Sequence, residues 1–154
     1  MLIGTYSLLD VSVSINGPGG VFLMGGPDTA AADEHVTLAL TEETNTQNVG
    51  GDGSVMNSLH ASRAGTITVR LQKISPVNAQ LSQLYGFQRQ SSGTWGLNVI
   101  TVRNAVTGDI YTCTGCAFER HANNSYAKLG NILEWMWHVA KMDPSLGTGI
   151  LLAA

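Results

Sequence analysis

The chain has 154 residues, enough for one domain with a real core, and carries a net charge of −3 with only 12% charged residues. Its 44% hydrophobic content excludes a disordered chain, and it lacks the basic stripe that specific nucleic-acid binding requires. Eighteen glycines with many Thr, Ser and Asn fill the polar quota, which predicts a turn-rich, mainly β protein with surfaces that lie against protein as much as water.

In chain order, residues 5–16 predict a first strand on Tyr6, Leu8, Val11, Val13 and Ile15, with a phase slip at Leu9-Asp10 read as a bulge. Gly17-Pro-Gly-Gly20 is a turn, and residues 21–24 pair back on the first strand. Residues 25–33 read as loop. Residues 35–41 alternate, with Val36, Leu38 and Leu40 inward, and residues 66–72 do so with Ile67, Val69 and Leu71. Between them, residues 42–65 are polar, and two strand-like pieces flank Gly50-Gly-Asp-Gly53. That length without regular structure is unusual in a compact domain, so the segment predicts a long protruding hairpin ordered by a partner.

Ser75-Pro76 opens the one helix, with Ser75 as cap, Pro76 at the first position, Val77, Leu81, Leu84 and Tyr85 as its apolar stripe and Gly86 as its stop. Strands follow at 97–103 and 110–119 around the hairpin signal Asn104-Ala-Val-Thr-Gly-Asp109, then a loop at 121–125 and a closing strand. In that closing strand Leu129, Leu133, Trp135, Trp137 and Val139 share one face, and Ile132, Met136, Ala140 and Met142 the other, interrupted by Glu134 and His138. An apolar set on both faces predicts a strand covered twice, either within its own domain, with the single helix on one side, or by its own core on one face and a neighbouring copy on the other. The fold expectation is an antiparallel β-sandwich or barrel over residues 1–154, with one short flanking helix, the protruding hairpin of residues 42–65 and a C-terminal tail at 144–154.

No catalytic pattern stands out, so no enzyme, cofactor or metal is expected. The four histidines are scattered, and no nucleophile elbow or phosphate loop is present. Glu42-Glu43 would point to opposite faces of a strand, a poor acid–base dyad and better read as solvated or lumen-facing charge. Cys113-Thr-Gly-Cys116 lacks a second ligand pair and a thioredoxin-like setting, and two Cys three apart in a regular strand also face opposite ways. No basic leader or membrane-length apolar run is seen, so the expectation is a cytoplasmically made protein.

The run Gly65-Thr-Ile-Thr-Val-Arg-Leu-Gln-Lys-Ile-Ser-Pro-Val-Asn-Ala-Gln-Leu-Ser-Gln-Leu84, followed by paired strands and a Trp-bearing strand ending Ala140-Lys-Met-Asp143, resembles the tail tube proteins of contractile-tailed bacteriophages. The similarity runs from the first strand to Asp143; the short connection from Val21 to His35 departs from it. Inner tubes of tailocins and type VI secretion share the family's plan. The resemblance implies a structural protein of the virion tail, assembled in the bacterial cytoplasm. Six copies would form a ring, and stacked rings a hollow tube passing DNA and the tape-measure protein without binding DNA specifically. Sheath and baseplate proteins are the implied partners. Val49, Val55, Met56, Leu59, Ile132, Met136, His138 and Met142 are then the expected subunit-interface residues, and Glu42 and Glu43 the lumen-facing acids. The alternatives are a β-barrel module binding a small ligand or carbohydrate through its Trp cluster, another phage structural protein, or an enzyme without a recognisable motif.

Overall fold

Alternating apolar residues lay down nine strands and one helix among residues 1–149, which the computed structural model describes. The strands are β1 (Val11–Gly17), β2 (Gly20–Gly25), β3 (Ala31–Leu40), β4 (Asn45–Val49), β5 (Val55–Leu59), β6 (Gly65–Gln72), β7 (Asn98–Asn104), β8 (Asp109–Phe118) and β9 (Ile132–Ser145), and α1 is Val77–Gln88. Seven strands form one antiparallel sheet in the order β2-β1-β7-β8-β9-β6-β3, curled into a half-barrel, while β4 and β5 form a separate hairpin. The fold is thus mainly β with one flanking helix. The inner face of the sheet and α1 enclose the core. The outermost strands, β2 and β3, are sequence neighbours, so the chain itself carries one edge round to the other. They meet where any side chain on Gly25 would collide with the imidazole of His35.

Ile67, Val69 and Leu71 of β6 and Leu133, Trp135, Trp137 and Val139 of β9 all point into the core, as the period of two requires. Phe118 stands edge-on or tilted to both tryptophans, 6.1 Å from Trp135 and 5.2 Å from Trp137 between ring centres. The Nε1–H of Trp135 donates to Oδ1 of Asn78 on α1 (3.0 Å), whereas Nε1 of the fully buried Trp137 has no partner among the described residues.

Several boundaries differ from the sequence reading for identifiable reasons. The slip at Leu9-Asp10 is a 3-10 turn (Leu8–Asp10) capped by Ser7, so the first strand begins only at Val11. Strand β3 starts at Ala31, inside the expected loop, and Leu40 at its end is 46% exposed. Ser75 does engage the start of α1, accepting from the Val77 N–H (3.2 Å) and donating to the Thr29 carbonyl. Gly86 does not stop the helix, which continues to Gln88. The reason is tertiary: Gln88 and Asn98, both fully buried, exchange two amide hydrogen bonds (2.7 and 2.9 Å). Gln88 also donates to the Pro18 carbonyl and Asn98 to that of Cys116. A satisfied buried amide pair outweighs the weak stop signal of one glycine.

The largest correction concerns β8 and β9. Gly115 has φ +64, and β8 spends one extra residue against β7 between the pairs Ile100–Cys113 and Asn98–Cys116. This bulge turns both Cys113 and Cys116 inward, against the expectation of opposite faces, and burial pushes their thiols up to about 11 and about 12. Strand β9 keeps an unbroken register with β8, so it slips phase at the same place: Val139 is in, Ala140 and Lys141 are out, and Met142 is in. Met142, expected at a subunit interface, is only 2% exposed in its own core. Of the expected C-terminal tail, Pro144 and Ser145 belong to β9, and residues 150–154 lie outside the described residues.

Trp137→Ala is expected to cost about 3–5 kcal/mol and abolish a cooperative melt. Trp135→Phe, which strands the Asn78 carbonyl oxygen, should cost about 1 kcal/mol more than Trp137→Phe, measured by denaturant unfolding. His35 donates from Nδ1 to the Arg70 carbonyl (3.0 Å), while its Nε2 is buried without a partner among the described residues. Burial lowers its pKa below the ordinary 6.5. The unfolded chain therefore binds the proton more readily, and stability is full above pH 6.5 and falls as pH drops towards the folded pKa. Thermal melts from pH 7.5 to 5 should show a fall in Tm that His35→Gln flattens.

Candidate functional site

The hairpin β4–β5 is built by a register that pairs Asn45 with Leu59 and Val49 with Val55. Its tip closes when the Gly50 N–H reaches the Ser54 carbonyl (2.7 Å) and Asp52 accepts from the Ser54 N–H (2.9 Å), a bond that also lowers the Asp52 pKa. The pairing puts Val49, Val55 and Leu59 on one face and Met56 on the other. None of the ten strand residues is buried; Leu59 is 83% exposed. At the base, Arg63 bonds Asp143 (2.9 Å), and its carbonyl accepts from the Met142 N–H. A groove of about 430 Å3 opens there between Leu40, Leu59, Met142 and Pro144. Glu42 and Glu43 lie exposed in the bend before β4, with no ion-pair partner among the described residues.

Among the expected interface residues of β9, Ile132 (44% exposed), Met136 (half-buried) and His138 (exposed) do share the outward face of the sheet. That face is less apolar than the sequence suggests. Glu134, between Ile132 and Met136, pairs with Arg70 (3.0 Å), which also reaches Thr37 (2.9 Å) and, at 3.8 Å, Glu34. Thr66 and Thr68 stand beside His138 and Met136. The structure keeps Ile132 far from the hairpin set: the hairpin joins β6 at its Gly65 end, and Ile132 pairs with Gln72 at the other. Trp135 and Trp137 are fully buried, so they form no exposed platform for a carbohydrate.

One organised region escaped sequence reasoning. Lys73, just after β6, directs its ammonium to Oδ1 of Asn124 (2.6 Å), the Ser125 carbonyl (2.6 Å) and Oδ1 of Asn131 (3.0 Å), with the Tyr126 ring centre 4.2 Å away. This clamp fixes the loop between β8 and β9 over a groove lined by Ile74 and Ile132. The only signal in sequence was the pair of large apolar residues, Tyr126 and Leu129, in an otherwise polar loop.

Residues 3–147 match the family model of the bacteriophage PhiTE tail tube protein. The chain belongs to that tail tube family. Among solved structures, this tail tube protein shares its fold with a chain of the PVC sheath-tube complex, an extracellular contractile injection system in its extended state (TM-score 0.55, 11% identity, 92% of each chain covered). It also resembles a chain of the anti-feeding prophage baseplate (TM-score 0.50, 15% identity, 97% of this chain and 99% of that one). A chain of the anti-feeding prophage tube-terminating cap matches at TM-score 0.52, with 10% identity and 96% of each chain covered. No protein of curated function matches the chain. The protein is thus a structural component of a phage tail tube.

Lys73→Met removes three charge-assisted bonds from the loop between β8 and β9. Amide exchange across residues 123–131 should then quicken by about tenfold, on the order of 1.4 kcal/mol, with little change in the sheet.

Proposed function

We propose that this subunit assembles into hexameric rings that stack into the inner tube of a contractile tail, the conduit through which DNA leaves the virion. The observation that carries the reading is the hairpin β4–β5, which holds Val49, Val55, Met56 and Leu59 in solvent without one buried residue. An isolated two-stranded hairpin is marginal in water, and its apolar side chains gain burial only against another molecule. The six-fold symmetry named for the anti-feeding prophage baseplate supports a ring of six. Within the ring, Ile132, Met136 and His138 make the lateral contact, and the hairpin makes the contact between rings. Sheath, baseplate and tape-measure proteins are the further partners, and the subunit is assembled in the host cytoplasm.

Size-exclusion chromatography with negative-stain microscopy tests the assembly: rings or tubes are expected, and a monomer at every concentration would sink the proposal. Met136→Asp should keep the fold and block rings. Hydrogen exchange adds a local readout. Residues 42–65 are expected to exchange fast in free subunits and to slow on polymerisation; strong protection in the monomer would move the stacking role elsewhere.

A further inference from the structure

The hairpin needs a surface to receive it, and the fold offers one at the opposite end of the same strands. Strand β6 runs from Gly65, at the hairpin end and paired with Val139, to Gln72, paired with Ile132. Its eight residues span about 26 Å at ~3.3 Å each. Just past Gln72, Ile74 (82% exposed), Tyr126 (88%) and Leu129 (81%) stand round the Lys73 clamp.

We infer that the loop of residues 120–131, together with Ile74, is the receptor for the hairpin of the next copy in the stack. The inference rests on the stacking reading above and adds the surface that completes it. Three observations favour a second copy as the occupant. The two apolar surfaces lie at opposite ends of β6 and β9, so a shift along the strands brings one onto the other. Such a head-to-tail contact leaves both ends free for further copies, the geometry of an open stack. The charges are complementary: residues 42–60 contain Glu42, Glu43 and Asp52 and no Lys or Arg, whereas residues 120–131 contain Arg120 and Lys128 and no Asp or Glu. Neither Arg120 nor Lys128 has an ion-pair partner among the described residues. Finally, the Lys73 clamp holds the receptor loop ready-made, so the ordering cost of docking falls mainly on the hairpin.

The arrangement divides the work. Val49, Val55 and Leu59 supply buried apolar area against Tyr126, Leu129 and Ile74, and the rim charges set orientation and partner choice. Stacking should accordingly weaken as salt shortens the reach of the rim charges.

A charge-reversal cycle on the full chain tests this, with sedimentable tube as the readout and circular dichroism as the fold control. Glu42→Lys/Glu43→Lys and Arg120→Glu/Lys128→Glu should each cut sedimentable tube at least tenfold, and the combined protein should recover more than half. A combined protein no better than the weaker parent overturns the pairing. Leu59→Asp separates the two levels of the argument. If it abolishes tubes while the charge reversals leave them intact, stacking through the hairpin stands and this receptor is wrong. If neither affects sedimentation, both readings fall. Retained self-stacking with lost capture of sheath protein by the loop variants would make the loop a sheath contact and also overturn the proposal.

Discussion

A single twelve-residue helix has to cover the core face of a seven-stranded sheet, and the rest of the structure follows from that mismatch. Laid flat, seven strands would be about 29 Å wide at ~4.8 Å per strand, against a helix ~10 Å across. Trp135 and Trp137 would then be half uncovered. Curling the sheet round α1 removes the difference and brings β2 to β3. It also spends the whole supply of covering structure on one face, so Ile132 on the outward face of β9 and Val49, Val55, Met56 and Leu59 on the hairpin stay exposed in the single subunit.

Sequence showed the parts governed by local periodicity. The strands on Ile67, Val69 and Leu71 and on Trp135 and Trp137, the hairpin signals and the Ser75-Pro76 helix start all obey rules that span a few residues. The errors arose where a distant group decides. Met142 reads as outward-facing by counting along β9, but the count is broken by a glycine in the adjacent strand that imposes its own slip across an intact ladder. Gly86 reads as a stop, but Gln88 finds Asn98 across the core. Lys73 reads as an ordinary surface cation, yet its partners are neutral oxygens 51 to 58 residues away. No single-residue pattern encodes such a meeting. The tube family, by contrast, was legible from layout alone, because the order of strands, helix and Trp strand is itself a long-range pattern.

The outward face of the sheet is dominated by hydroxyls and small groups, with Ser12, Ser14, Thr66, Thr68, Thr101, Thr112 and Thr114 on or near it, and Arg103, Lys141 and the Arg70–Glu134 pair as its charges. Lys141 is paired with Asp143 at 3.6 Å, whereas Arg103 has no ion-pair partner among the described residues, so the charge on this face is sparse and mixed in sign.

The junction of Gly25 and His35 has a significance beyond packing. Exposed strand edges are templates for indiscriminate pairing with other chains. β2 and β3 do not hydrogen-bond to one another, so their outer edges stay unpaired, and the close approach of Gly25 to His35 narrows the gap between them at that one place. That approach depends on a missing side chain and on an imidazole whose burial disfavours its charged form, so acid that charges His35 strains the point where the two edges come nearest.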